Sequence, residues 1–532
     1  MLLSSVKIFI KNNYLFLGLT LLIYIVFIGD LFFSGPINTH IWRQTDCLSM
    51  TENYRLGTSF LEPEMHIQLG NDLQSGKSAG EFPVLYWLVG NIWKVTGPSH
   101  FTYRFIYALI FLSGLVAYFL TIKKINLSHF WTQFLSLILF ISPVFLYYST
   151  SFLTDSPAIS FSFIAVYFMV NYVITKKYKW LVISIIFFAL TGLLKVSALI
   201  PFVFVLAVFM LEFFGVKMHP RKVLFRHNIK EVLLLFLFFI ILLGWYVYAA
   251  YYNQSSGFKY TFNSIYPFWK FELYDFYNLW NDIKTKSGPV FLSFWTLMLL
   301  LVLWIFNLLT FKKNIALFSW MNFLIPLGAI FYIALWFPLF GVHDYYYIAL
   351  VVILPSIFIS FIVNLKNNYP KLYKSRILRI LGIFFITFNL IYSSEVISLK
   401  KGDKKSPTNL IINNEHFVNF MNWVNYDVES NTYQYVRLEK KLEGLNCGKS
   451  DKIITLSDVS FNISLYFLKR KGWTNFKNIS TKEEVMKLKM VGAKWIILFE
   501  KDIERFNFLG LKETNYTEKF ESLLIYKINT LF

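Results

Sequence analysis

The chain has 532 residues, of which 56% are hydrophobic and 15% are charged. Soluble domains carry about 45–50% apolar and about 25% charged residues, so this composition excludes a soluble globular protein and indicates a multi-span membrane protein. A formal charge of +20 would suit nucleic-acid binding, but the lysines and arginines interrupt apolar runs, and that placement favours membrane topology.

Eleven apolar runs predict membrane-spanning helices, because a span needs about 20 mainly apolar residues. The predicted spans are 14–33, 102–121, 131–149, 157–174, 180–195, 199–214, 232–251, 290–310, 315–336, 346–365 and 376–393. The first run lacks a small-residue cleavage site before the polar segment that follows it. We therefore expect a retained span rather than a cleaved signal peptide.

Two stretches are divided into hairpins. Residues 180–214 would form a helix about 52 Å long at ~1.5 Å per residue, whereas the hydrocarbon core is about 30 Å thick. We therefore predict a turn with Lys195 near its tip. Residues 131–174 form the second predicted hairpin, with "STSFLTDSP" at its tip, where Asp155-Ser156-Pro157 is typical of a helix start.

The placement of basic residues predicts the orientation, because connections rich in lysine and arginine favour the cytoplasmic side. The basic connections are Lys7/Lys11, Lys123/Lys124, Lys176/Lys177/Lys179, "KMHPRKVLFRHNIK", Lys312/Lys313 and "KNNYPKLYKSRILR", and the eleven spans put them all on one side. The outer side then receives the segment 34–101, both hairpin tips, the aromatic-rich loop 252–289, "GVHDYYY" and the tail. The sequence therefore predicts a polar site at the outer membrane surface.

The character of the chain changes near residue 395. "DKIITLSD" and "AKWIILFE" are typical of short buried strands, while "SLYFLKRKG" and "TKEEVMKLKMVG" are typical of amphipathic helices that end at glycine. This alternation predicts a small α/β extracytoplasmic domain over 395–532. It follows an all-α polytopic membrane domain over 1–394, whose first outer loop is 34–101. The segment "LKKGDKKSP" is the predicted linker.

The first outer loop concentrates charge directly after a span, in "HIWRQTDCLSMTENYRLG". An isolated loop aspartate is most often a helix cap or a solvated surface charge, and both alternatives apply to Asp46 considered alone. Later in the same loop, "GEFPVLYWLVGNIWKVTG" begins next to Glu81, for which capping a surface helix is the ordinary role.

Four pieces occur in order over residues 1–395: "WRQTD" after the first span, "GEFPVLYW", the "TDSP" hairpin tip and "HDYYY" before a late span. In this order and spacing they resemble membrane glycosyltransferases of the GT-C fold that use polyprenyl-phosphate sugars. The similar group is that of protein O-mannosyltransferases and lipid A aminoarabinose transferases, glycosyltransferase families 39 and 83. The resemblance implies a hexosyl- or pentosyltransferase in the bacterial inner membrane, with Asp46 as the catalytic residue.

The chemistry of sugar transfer from a lipid phosphate explains why such residues are needed. A carboxylate can take the proton of the incoming hydroxyl, and cations can stabilise the departing phosphate, which leaves without protonation. One base therefore suffices, whereas a pair of carboxylates acting as acid and base is typical of glycoside hydrolases. We predict that Asp46 is this base, and that the configuration inverts because nothing indicates a covalent sugar intermediate.

Several polar residues are predicted to bind the substrate: Arg43, Glu81, Asp155, Lys195, His343, Asp344 and Tyr345. The aminoarabinose transferases have a lysine after the glutamate that corresponds to Glu81, but this chain has Phe82, so other cations must hold the phosphate. Lys195 is the first choice, because a lysine in an apolar hairpin is costly without an anionic partner. Snorkelling to the interface is its alternative role.

Other residues have ordinary structural alternatives. Asp155 would cap the span that follows it, and the tyrosines at 345–347 would form an interfacial belt. Arg104 is expected to anchor the second span at the membrane interface. Cys47 and Cys447 both fall outside by this topology, where a bridge is conceivable, but we expect two buried unpaired thiols.

The cofactor and the partners follow from the same resemblance. A divalent metal is one option, with Glu81 and His343 as candidate ligands beside Asp46 and Asp155. The expected partners are a polyprenyl-phosphate sugar donor, a glycan, lipid or protein acceptor and membrane lipids, with no nucleic acid.

A polytopic transporter or lipid flippase is the main alternative function. Transporters show repeated halves and ionisable groups near the membrane midplane. This chain has no visible internal repeat and its charges gather at the ends of spans, which favours the enzyme. A non-catalytic scaffold whose tail binds a partner is the third hypothesis.

Overall fold

The computed structural model describes residues 2–37, 39–257, 264–402, 411–412, 414–512 and 515–531, with side chains from residue 13 onwards. Helices up to residue 256 are α1 (Leu2–Ile28), α2 (Ile41–Leu56), α3 (Val84–Thr96), α4 (His100–Lys123), α5 (His129–Leu137), α6 (Pro143–Tyr147), α7 (Asp155–Thr175), α8 (Tyr178–Leu194), α9 (Ile200–Phe213) and α10 (Ile229–Ser256). Those that follow are α11 (Leu273–Asp282), α12 (Gly288–Phe291), α13 (Phe294–Leu309), α14 (Ala316–Leu335), α15 (Leu339–Val342), α16 (Ile353–Asn368), α17 (Pro370–Lys374), α18 (Arg376–Lys401), α19 (Glu415–Asp427), α20 (Tyr433–Leu442), α21 (Ile463–Leu468), α22 (Lys482–Met490) and α23 (Ile528–Leu531). The strands are β1 (Lys452–Thr455), β2 (Gly472–Thr474), β3 (Ala493–Phe499), β4 (Glu518–Phe520) and β5 (Leu523–Lys527).

Most of the chain is built from long apolar helices. Among the described residues, eight helices are long and apolar enough to cross a membrane, and the number is ten if each of two bent helix pairs counts as one span. The remaining predicted run corresponds to α8, a shorter apolar helix of 17 residues. The predicted all-α membrane domain is therefore confirmed, and each of the eleven runs is helical.

One predicted span, 131–149, is sharply bent, and another, 290–310, begins at a sharp bend. The stretch His129–Ile141 meets Pro143–Thr150 at 79°, and the stretch Leu273–Phe291 meets α13 at 84°. The first bend falls at Pro143, whose ring removes a backbone donor and opposes a continuous helix. Hydropathy alone does not report such bends, because it averages over a window.

The predicted turn at Lys195 is present. Lys195 has an extended backbone (φ −160°, ψ 111°) between α8 and the turn that leads into α9. Phe188 of α8 packs against Phe202 of α9, with ring centroids 5.1 Å apart. At the other end of α9, Phe209 lies 5.3 Å from Phe225, whose ring also lies beside the end of α7, just before α8 begins. The two helices therefore run in opposite directions.

The chain divides into two compact units. Unit 1 comprises Met1–Ser34, Tyr103–Gly244 and Ser264–Phe420, and it holds most of the spans. Unit 2 comprises Gly35–Thr102, Trp245–Asn263 and Met421–Phe532, so the first predicted outer loop belongs to the same unit as the tail from Met421 onwards.

The tail contains a five-stranded sheet with the strand order β2-β1-β3-β5-β4. β1 pairs in parallel with β2 and β3, whereas β5 pairs antiparallel with β3 and β4. The two predicted strands are β1 and β3, and both are buried. The predicted helix "TKEEVMKLKMVG" is α22, which begins with a capping box between Thr481 and Glu484. The small α/β domain is thus confirmed.

The predicted helix over "SLYFLKRKG" is wrong at its end. α21 stops at Leu468, Lys469 adopts a left-handed conformation, and Gly472 opens β2 instead of capping a helix. Gly472 also exchanges backbone hydrogen bonds with His66 and Gln68 of the first loop. A Cβ at Gly472 would lie 1.9 Å from the carbonyl oxygen of Ile453, so this close approach requires glycine.

Candidate active site

Asp46 lies on a helix rather than in a loop. α2 runs over Ile41–Leu56, and it places Asp46 one turn after Arg43 on the same face. The Arg43 Nη1 and the Asp46 Oδ2 are 4.0 Å apart, and the Asp46 carboxylate is fully buried. Neither of the ordinary roles for this aspartate applies, because it neither begins the helix nor faces solvent.

Glu81 pairs with Arg43. The Arg43 Nη2 donates a short hydrogen bond to the Glu81 Oε1, and both side chains are only about one tenth exposed (11% and 10%). The helix that follows Glu81 begins at Val84 with Pro83 at its N-cap, so Glu81 does not cap it. α3 packs so closely on α2 that a Cβ at Gly90 would lie 2.7 Å from the carbonyl oxygen of Thr51.

Asn462, which the sequence did not single out, binds Asp46. Its Nδ2 donates to the Asp46 Oδ1 at 2.8 Å. Its Oδ1 accepts from the backbone N–H of Ile67 at 3.1 Å and from the Ser49 Oγ at 3.3 Å. Asn462 is fully buried, so these partners hold its amide in one orientation. No local pattern marks this asparagine, because its partners lie hundreds of residues away in the chain.

His66 completes the polar layer next to Asn462. The His66 Nδ1 lies 2.6 Å from the Ser49 Oγ, and the same hydroxyl accepts from the His66 backbone N–H. Burial, with a smaller contribution from the charge of Lys471, lowers the pKa of His66 to about 3. The imidazole is therefore neutral at physiological pH and adds no positive charge near Asp46.

Unit 1 contains a second charged cluster, and Lys195 is part of it. The Lys195 Nζ lies 3.1 Å from the Asp155 Oδ1 and packs over the rings of Tyr345 and Tyr346, at 5.4 and 5.1 Å from their centroids. The anionic partner that the sequence required for Lys195 is thus Asp155. Asp155 is the first residue of α7, and Thr154 occupies the N-cap position, so Asp155 lies one residue inside the helix start rather than at the N-cap.

Asp344 is held by two groups. The Tyr148 hydroxyl donates to its Oδ1 at 2.5 Å, and the Lys400 Nζ pairs with its Oδ2 at 2.5 Å. Lys400 is fully buried and also lies 4.6 Å from the ring centroid of Tyr147. Lys400 belongs to "LKKGDKKSP", and the prediction of a linker is wrong for its first residues, because α18 extends to Lys401.

The aromatic residues around His343 are packed inside the unit. His343 stacks on Tyr345 and Tyr346, with ring centroids 5.2 and 5.9 Å away. Tyr345 and Tyr347 are each only 6% exposed, so the interfacial belt expected for these tyrosines is wrong.

Arg104 is not an interfacial anchor. It is 3% exposed, and its guanidinium donates to the carbonyl oxygens of Ser34 at 3.0 Å and Thr150 at 2.8 Å. The guanidinium also lies 4.2 Å from the ring centroid of Phe152. Arg104 therefore fixes the chain around the α7 hairpin tip, and its expected surface role is corrected.

The two cysteines are free and buried, as expected. Burial raises the pKa of the Cys47 thiol to about 12, so this thiol is neutral at physiological pH. Within the described part of the chain, no group of three or more His, Cys, Asp or Glu side chains is placed to hold a metal ion. Glu81, a candidate ligand, is instead engaged by Arg43. We therefore derive no step of the reaction through a metal.

This chain is similar to one protein family over part of its length and to a solved membrane-protein structure over nearly all of it. Residues 79–248 match the family model described as dolichyl-phosphate-mannose-protein mannosyltransferase. ArnT from Cupriavidus metallidurans in the apo state superposes with a TM-score of 0.55 at 10% identity, over 97% of this chain and 98% of that chain. The same protein bound to undecaprenyl phosphate gives a TM-score of 0.55 at 11% identity over the same shares. The chain has the ArnT fold.

The ArnT fold confirms the predicted GT-C architecture over the whole chain, including the tail. The family match covers Glu81, Asp155 and Lys195 but begins after Asp46. Among curated proteins, none matches the sequence.

Proposed function

We propose that this protein is an integral-membrane glycosyltransferase that moves a sugar from a polyprenyl phosphate to an acceptor hydroxyl on the extracytoplasmic face, with inversion. The observation that carries the proposal is a buried carboxylate, Asp46, held between Arg43 and Asn462 in a chain with the ArnT fold. Undecaprenyl phosphate bound to ArnT supports a polyprenyl-phosphate donor here.

Asp46 acts as the base in this proposal. Asn462 occupies one carboxylate oxygen, and the other faces Arg43 at 4.0 Å, which is longer than a tight ion pair. Glu81 takes the close contact with Arg43, so Arg43 does not neutralise Asp46 fully. The acceptor proton passes to Asp46 as the oxygen attacks the anomeric carbon, and the bond from that carbon to the phosphate oxygen breaks.

The leaving phosphate needs positive charge. Arg43 is partly exposed beside Asp46 and is our proposed contact for it. Lys195, already paired with Asp155, stays our second proposed phosphate contact. Asp344, His343 and Tyr345 stay proposed substrate contacts.

The test compares cell-envelope material by mass spectrometry from cells that carry the wild-type protein, Asp46→Asn or Glu52→Gln at equal protein levels. Asp46→Asn is expected to lack one sugar on one envelope component, and the missing mass identifies that sugar. Glu52 is the matched control, because it lies on the same helix but pairs only with Arg55 in the contacts described here. Identical envelopes in wild-type and Asp46→Asn cells would refute the role of Asp46.

A further inference from the structure

One end of unit 1 carries exposed positive charge, and none of the ion pairs among the described residues joins that charge to a surface carboxylate. The basic loop, which we define as residues 213–230, joins α9 to α10, and its exposed cations are Lys217, Arg221, Lys222, Arg226 and Lys230. Between residues 171 and 232 the sequence contains only two acidic residues, Glu212 and Glu231.

Both of these carboxylates face inward. Glu212 accepts from the backbone N–H groups of Leu224 and Phe225 at 2.8 and 2.9 Å, and its nearest basic side chain is His227 at 3.6 Å. Glu231 accepts from the backbone N–H of Arg226 at 3.0 Å. The acids therefore fold the loop and leave its exposed cations without a carboxylate partner among the described contacts.

The loop is tied to the ends of the neighbouring helices, which brings the cations together. The Lys176 Nζ donates to the carbonyl oxygens of Val223 and Leu224 at 2.7 and 2.5 Å. Arg226 and Lys230 both lie over the ring of Tyr178, at 5.4 and 5.5 Å from its centroid. Like charges held this close repel one another unless an anion lies among them.

Apolar side chains border the cations. Phe213, Phe214, Val223 and Ile229 are 63–72% exposed. Phe213 and Ile229 are the last residue of α9 and the first of α10, so these side chains lie where two predicted spans end. A soluble anion would contact the cations but not the exposed phenylalanines, whereas a phospholipid can bind the cations through its phosphate and the phenylalanine rings through its acyl chain.

We propose that the basic loop is a binding site for an anionic phospholipid of the surrounding membrane, with Lys222, Arg226 and Lys230 on its headgroup phosphate and Phe213 and Phe214 along its acyl chain. The site lies at the ends of α7, α8, α9 and α10 opposite Asp155 and Lys195, so it is separate from these two residues.

The test titrates purified full-length protein with phosphatidylglycerol or phosphatidylcholine of identical acyl chains and counts bound lipids by native mass spectrometry. The wild-type protein is expected to retain phosphatidylglycerol at lower concentration than phosphatidylcholine. In the triple variant Lys222→Gln/Arg226→Gln/Lys230→Gln, the ratio of phosphatidylglycerol affinity to phosphatidylcholine affinity is expected to fall by about tenfold or more.

The matched control is Lys312→Gln/Lys371→Gln/Lys374→Gln, which removes the same charge from other exposed lysines that the topology predicts on the same side. It should keep the preference. Equal loss in both triple variants would show diffuse attraction and overturn the site, as would no preference in the wild-type protein. Displacement of the bound lipid by inorganic phosphate at equal concentration would overturn the role of the acyl chain. Size-exclusion chromatography checks that each variant is folded.

Discussion

The buried ion pair between Lys400 and Asp344 offers a prediction that needs no knowledge of the substrate. Lys400 is fully buried and Asp344 nearly so, with 2.5 Å between Nζ and Oδ2. Lys400→Met keeps the length and the apolar stem of the side chain but removes its charge. The Asp344 carboxylate then stays buried with the Tyr148 hydroxyl as its remaining hydrogen-bond donor in the cluster described above.

The expected loss of stability is large. Removing one member of a buried ion pair costs about 3–5 kcal/mol, because the remaining charge is neither solvated nor compensated. The Tyr148 hydrogen bond to Asp344 persists, so we expect the lower end, about 3 kcal/mol. The double variant Asp344→Asn/Lys400→Met removes both charges and should recover most of that loss, since replacing a buried pair by neutral groups is often close to neutral.

The neighbouring lysine is the control. Lys401 pairs with Asp30 at 2.6 Å, but the Asp30 side chain is 67% exposed, so Lys401→Met should cost less than about 1 kcal/mol. The assay heats purified protein in detergent and measures the fraction that stays monodisperse on size-exclusion chromatography. The apparent Tm should fall by about 3 °C for Lys400→Met and recover in the double variant. The reasoning is refuted if Lys400→Met melts at the same temperature as the wild-type protein, or if Asp344→Asn/Lys400→Met is no more stable than Lys400→Met.

Three further predictions concern unit 2. His66 has its pKa lowered to about 3 in the folded protein against about 6.5 unfolded, so the unfolded chain binds more protons between these values and acid destabilises the fold. Between pH 7 and pH 5 the free energy of unfolding of the wild-type protein should fall by about 2 kcal/mol more than that of His66→Gln. The apparent Tm of both proteins at the two pH values measures this difference, and equal shifts in Tm would contradict it. Cys47 has a buried thiol with its pKa raised to about 12, so maleimide should label it at pH 8 only after denaturation; rapid labelling of the native protein would contradict the burial. Asn462→Leu removes the amide that holds Asp46 and should lower sugar transfer about tenfold or more, whereas Asn475→Leu, another buried asparagine of the tail, should retain activity at equal protein level.

The membrane domain could be predicted from the sequence because hydropathy is a local property. Each of the eleven runs is helical, and the division of residues 180–214 at Lys195 followed from the length of a helix against the thickness of a bilayer. The buried strands β1 and β3 were also predictable, since short apolar runs next to glycine and aspartate favour strands. The ends of elements were less certain, as the residues between Leu468 and Gly472 show.

The sequence by itself determined that this protein is a polytopic membrane protein with a small α/β tail, and it pointed to Asp46, Arg43, Glu81 and Lys195. Only the tertiary structure decided their partners. Asn462 reaches Asp46 across 416 positions of the chain, and Lys400 reaches Asp344 across 56. Hydrophobic periodicity is set by neighbours within a turn or two, whereas the burial of a charge is compensated by whichever group the completed fold brings beside it.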